Sequence, residues 1–152
     1  MRSVCRRGRL LFPLLLVLVP LGCGLQGPVN VKGVVKAGGR PLSNCKVVFY
    51  PDTEKFDPDR HGYGFGMTNE NGQFEIQHPN GTKGILPGSY KVTFVAWVDG
   101  KGNPIPPEAK PSEVPGGVNN LLPDKYESLG TTPTRMTVLG DNSEANFDLE
   151  TR

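Results

Sequence analysis

Glycine and proline punctuate this chain from end to end, 20 and 15 of its 152 residues, and leave little room for long uninterrupted helices. Glycine in a helix costs backbone entropy, and proline removes a donor and clashes with the preceding turn. What remains is a set of short extended segments joined by turns, so a helical bundle is excluded. Hydrophobic residues make up 36% and charged residues 21%, near the ordinary globular range. The segments therefore carry enough apolar surface to bury, and the length suits one domain rather than two.

The first residues do not belong to that pattern. Arg2, Arg6, Arg7 and Arg9 form a basic start, and residues 10–21 form an apolar run broken only by Pro13 and Pro20. About a dozen residues is too short for the roughly 20 that cross a bilayer as a helix. The run ends at the small residue Gly22, which is the form of an export signal that is read and removed. Because Cys23 follows at once, the region resembles a bacterial lipoprotein signal, in which cleavage falls before a cysteine carrying a diacylglyceryl group. It departs from that family at Pro20, where leucine is usual, and at Leu21, where small or β-branched residues dominate. The resemblance implies a signal peptide over 1–22, a lipidated Cys23, a tether over 23–28 and a folded domain over 29–150. It also implies a membrane partner through the anchor and, with Gly24 rather than Asp after the cysteine, forwarding to the outer membrane. A plain secretory signal is the alternative.

Loss of the leader takes four of the 17 lysines and arginines and none of the 15 acids, so the mature chain is slightly acidic. No clustered basic surface remains, and nucleic acid is not expected as a partner. Cys5 leaves with the leader. If Cys23 carries lipid, Cys45 is the only thiol left and no internal disulfide forms; without lipid, a Cys23–Cys45 bridge is conceivable in an oxidising compartment.

From residue 29 onward apolar residues recur with period two. Val29, Val31 and Val35 share one face of a first strand; Cys45, Val47 and Phe49 share one face of a second, where the thiol reads as a small buried hydrophobe. The turn Asn69-Glu70-Asn71-Gly72 predicts a hairpin whose second arm points Phe74 and Ile76 inward. The longest strand, SYKVTFVAWV, places Tyr90, Val92, Phe94 and Ala96 on one face and leaves an unusually apolar second face with Val95 and Trp97. Residues 99–132 hold six prolines and no periodicity, and a loop of that length is expected to fold over the sheet. A last hairpin, with Met136, Val138, Phe147 and Leu149 on its core side, closes an antiparallel sandwich.

GGRPLSNCKVVFYP, MTNENGQFEI and GILPGSYKVTF together resemble the carboxypeptidase regulatory-like domain. LLPDKYESLGTTPTRMTVLGDNSEANFDLE is similar to the closing segment of small lipoproteins of that group. The resemblance covers Val29 to Glu150. It implies an all-β, transthyretin-type Greek-key β-sandwich of about seven strands with a long Pro-rich loop before the last hairpin. It also implies a non-catalytic module for stability, display or interaction.

Activities of related folds find no support in the residues. The hydroxyisourate hydrolases of this fold end in Tyr-Arg-Gly-Ser, whereas this chain ends Asp148-Leu149-Glu150-Thr151-Arg152. His61 and His78 lie too far apart for the paired histidines of an intradiol dioxygenase. Asp57, Asp59 and His61 read as a solvated loop, so neither a metal nor another cofactor is expected. The glycine-rich Gly62 to Gly66 lacks the lysine and helix start of a phosphate loop. Related Cna-B-type domains join a lysine of the first strand to an asparagine of the last beside a buried acid. Here alternation turns Lys32, Asn146 and Glu75 away from the core. The second functional class is ligand binding, of a glycan or peptide, on a surface of Val95, Trp97 and Tyr126, since aromatic surfaces stack on sugars and anchor interfaces. The simpler reading is that the Pro-rich loop buries that face.

Overall fold

The computed structural model describes residues 27–54, 62–105, 109–140 and 143–152; the leader, Cys23 and the loop with Asp57, Asp59 and His61 lie outside them. The described residues are all-β, in two sheets. Chain order runs β1 (Val31–Ala37), β2 (Arg40–Pro41), β3 (Cys45–Pro51), β4 (Gly64–Met67), β5 (Gln73–Glu75) and β6 (Gly88–Val98). It continues with β7 (Asn119–Asn120), β8 (Arg135–Val138), β9 (Ser143–Glu144) and β10 (Phe147–Leu149).

One sheet is antiparallel and built round β6. Its neighbour on one edge is β3, in register from Cys45 opposite Ala96 to Pro51 opposite Tyr90, and β4 lies beyond β3. On its other edge β8 pairs with the first residues of β6 and β7 with the last. The other sheet is built round β1, which has β5 and β2 antiparallel on one edge and β9 and β10 parallel on the other. The expected purely antiparallel sandwich is therefore corrected to one antiparallel and one mixed sheet. The chain crosses between sheets after β8 and reaches β1 running in the same direction, so its pairing there is parallel.

The predicted last hairpin does not form for the same reason: β8 and β10 belong to different sheets. The hairpin around Asn69 is likewise divided. Its turn is as expected, with the Asn69 side-chain oxygen accepting from the Asn71 and Gln73 N–H groups and Gly72 at φ 72°. Its arms then part, β4 to β3 and β5 to β1, and rejoin only at Phe65 and Gln77.

Side-chain alternation fills the space between the sheets as the pattern implies. Val29, Val31, Val35, Cys45, Val47, Phe49, Phe74 and Ile76 are buried, as are Tyr90, Val92, Phe94 and Ala96. Rings tie the layers together, with Phe147 of β10 set against Phe49, Phe74 and Phe94 at centroid distances of 6.3, 6.3 and 5.0 Å. In β4 the inward positions are Gly64 and Gly66, because Ile76, Ile85 and the Glu75 backbone already occupy the space a side chain would need. The bulk of β4 consequently faces outward.

The ends of the sandwich are distinct. Val29 pairs with Ile85, just before β6 begins, so the chain enters β1 at the end where β3 and β8 finish. Trp97, near the far end of the 11-residue β6, lies at the opposite end. At roughly 3.3 Å per residue the two ends are separated by about 30 Å.

Candidate ligand surface

The outer face of the antiparallel sheet is where the structure departs most from a solvated surface. Pairing brings Lys46 beside Met67 and Val95, and Val48 beside Phe65 and Thr93, all on the side away from the core. Tyr50 continues the row, its ring stacked on Tyr63 at 5.9 Å. Val48 and Thr93, in the middle, are buried by these neighbours, while Tyr63 and Trp97 at the two ends remain 43% and 37% exposed. At the Trp97 end lies a groove of about 320 Å³ lined by Asn44, Lys46, Met67, Val95, Trp97 and Ile105.

Of the three residues assigned to a ligand surface from sequence, Val95 and Trp97 come together and Tyr126 does not join them. Its ring meets Phe94 edge-on at 6.2 Å, on the core side of β6, and its oxygen accepts from the Glu150 N–H. β7 explains the placement. Leu121 N–H donates to the Ala96 carbonyl at the edge of β6, after which the turn Asp124–Tyr126 folds inward and plugs the end of the core together with Leu122. Tyr126 thus corrects the sequence-derived surface, and Lys46, Met67 and Phe65 replace it. The glycine alternation of residues 62–66 was the available signal, since glycines inward imply aromatics outward.

The Pro-rich segment also behaves differently from a covering flap. Asp99 starts it with a tight turn: its carboxylate accepts from the Lys101 and Asn103 N–H groups and from the Asn103 side chain. The Asn103 hydrogen bonds hold the Asp99 carboxyl below the usual carboxylate range. The chain then doubles back, Ile105 N–H donates to the Trp97 carbonyl, and the Ile105 side chain packs beside the indole. Its described residues border Trp97 along both edges of β6, and the indole keeps its exposed face.

Two buried groups, Cys45 and Tyr90, serve the packing. Burial pushes the Cys45 thiol up to about 12, so it is neither nucleophile nor ligand at neutral pH. Tyr90, also raised to about 12 by burial, donates its hydroxyl to the Leu86 carbonyl at 2.7 Å and ties the turn before β6. Among the described residues no three His, Cys, Asp or Glu side chains gather where they could hold a metal ion. Lys32, Glu75 and Asn146 all lie exposed on the outer face of the mixed sheet. The Glu75 carboxyl is lowered, first by a hydrogen bond from Asn30 and then by Lys83, and the Asn146 oxygen accepts from the Val34 N–H. A lysine–asparagine crosslink needs an acid shifted the opposite way.

No family model and no curated protein matches the chain. Among solved structures it is similar to the major pilin subunit of Bacillus cereus, with 11% identity and a TM-score of 0.45 over 82% of this chain and 30% of the pilin. It is also similar to a 9R-lipoxygenase from Cyanothece, with 15% identity and a TM-score of 0.38 over 81% of this chain and 16% of the enzyme. The chain spans less than a third of either protein.

Proposed function

We propose that the chain is an exported bacterial lipoprotein, acylated at Cys23 and held on the outer membrane of the cell envelope, whose residues 29–150 form a non-catalytic interaction or display module. The observation that carries this reading is the coincidence of a basic start, a short apolar run and Gly22-Cys23 ahead of a chain that turns to strand pattern at residue 29. A diacyl group with an amide-linked acyl chain makes such an anchor effectively permanent, unlike a single chain. We assign the module to the carboxypeptidase regulatory-like, transthyretin type. Support comes from the turn and core positions of the sequence, and from crossings between sheets that set the last strands beside the first. A non-catalytic role is favoured by the burial of the described thiol, Cys45, whose raised ionisation leaves it protonated at neutral pH.

The second reading, a secreted or surface sandwich that binds a glycan or peptide, is favoured by the exposed indole of Trp97 over the groove with Val95 and Met67. Intact mass of the protein extracted in detergent from its own cell separates the two. Residues 23–152 plus lipid establish the anchor; an unmodified soluble chain removes it and favours secreted ligand binding.

A further inference from the structure

The two outer faces of this sandwich differ in kind. Round β1 the outward side chains include Lys32, Lys36, Glu75, Glu144 and Asp148, charges of both signs in alternation. Round β6 they are Tyr50, Tyr63, Phe65, Met67, Val95 and Trp97. The charges among them are Lys46, Lys91 and Arg135 against one described acid, Asp52, which bridges Lys91 at 3.8 Å and Arg135 at 3.1 Å. A chain that is slightly acidic after loss of its leader thus has a positive, aromatic face.

Tyrosine and tryptophan join an apolar body to a polar tip, and lysine and arginine join an apolar stem to a charge that reaches outward. That combination suits the boundary between acyl chains and anionic headgroups, to which nearby cations are drawn by the negative surface potential. Covering the face with a second copy would instead set Lys46, Lys91 and Arg135 against the same three cations. Reach agrees. Five links from Cys23 to Pro28 span at most about 17 Å, against about 10 Å between packed sheets, so the tether can pass round the sandwich edge but cannot hold the domain far from the bilayer.

We propose that the outer face formed by β4, β3, β6 and β8 is a second membrane contact, which lays the sandwich flat on the anionic bilayer that holds its anchor. The proposal rests on the acylated Cys23 of the preceding section. Upright on its tether, the domain carries Trp97 about 30 Å from the membrane; flat, it seats Trp97 at headgroup depth.

Trp97 is the single tryptophan, so its native emission reports the posture directly. The native lipidated protein is reconstituted into vesicles of phosphatidylethanolamine and phosphatidylglycerol, with and without brominated acyl chains. The expected result is a shift to shorter wavelength and loss of about half or more of the emission in brominated vesicles, as for a ring at the acyl boundary. Lys46→Glu, at an exposed position, should reduce that quenching, as should vesicles without phosphatidylglycerol. Equal emission in both vesicles, with lipid on Cys23 verified by mass, overturns the proposal and leaves the face open to a peptide or glycan. If the mass shows no lipid, the anchor reading fails separately. The face is then tested by holding residues 24–152 on nickel-chelating anionic vesicles through an amino-terminal hexahistidine, where quenching upholds the proposal and its absence overturns it.

Discussion

Cys45 is fully buried and Trp97 part-exposed, and each yields a measurable consequence. The Cys45 thiol has its ionisation raised from 9.0 to about 12 by burial, so between those values the unfolded chain loses a proton that the folded chain keeps. Its contribution to stability is complete below about pH 9 and falls at about 1.4 kcal/mol per pH unit above it. Urea unfolding between pH 8 and about 11 should show this decline, and Cys45→Ala should flatten its first part, leaving the slope that Tyr90 adds from its ordinary value near 10 upward. In native protein the thiol should not react with Ellman's reagent, whereas in urea it should react at once. On the outer face, Trp97→Ala should cost about 1 kcal/mol or less, because the indole is already part solvated, whereas Phe94→Ala on the other side of the same strand should cost about 3–5 kcal/mol. Equal losses at the two positions would mean that Trp97 is a core residue and not a surface one. Period two made this contrast readable within β6, since inward and outward residues alternate along it. Tyr126 was not readable in this way, because the segment that carries it has no period and its direction is set by β7 docking on the edge of β6.

Between elements the sequence says less. Alternation names the inward residues of β1, β3, β5 and β6, but a turn signal does not say whether its two arms stay in one sheet. At Asn69 and again between β8 and β9 the arms part, β5 and β9 crossing to pair with β1 while β4 and β8 stay in the sheet round β6. The seam where β1 meets the last strands depends on one small residue. A Cβ on Gly33 would lie 1.7 Å from the Ala145 carbonyl oxygen, where Ala145 and Asn146 separate β9 from β10. Gly33→Ala should therefore displace that backbone and cost about 2–3 kcal/mol, read as a lower urea midpoint with an unchanged m-value. Nothing local to VNVKGVVK announces this demand, since the clashing atom lies more than 100 residues away along the chain.

For the molecule as a whole, pairing of the first strand with the last makes folding a long-range event. Lys32 meets Glu144 and Ala37 meets Leu149, so one whole edge of β1 stays unpaired until the carboxyl end arrives, although β2 and β5 can pair with its other edge earlier. Refolding should take milliseconds to seconds, as for other sandwiches rich in non-local pairs. Phe147→Ala, which empties the space between Phe49, Phe74 and Phe94, should destabilise by about 3–5 kcal/mol within a single cooperative transition, checked by circular dichroism and tryptophan emission together. The parallel seam has a mechanical side as well. The amino end of β1 lies at the end of the sandwich where Val29 meets Ile85 and the carboxyl end of β10 at the other, with the two strands side by side and alike in direction. A pull between those ends slides the strands past each other along their length, so their cross-strand hydrogen bonds share the load together and do not open one at a time. With the acyl anchor proposed for Cys23, a tug on the far end of the domain would load that shear arrangement.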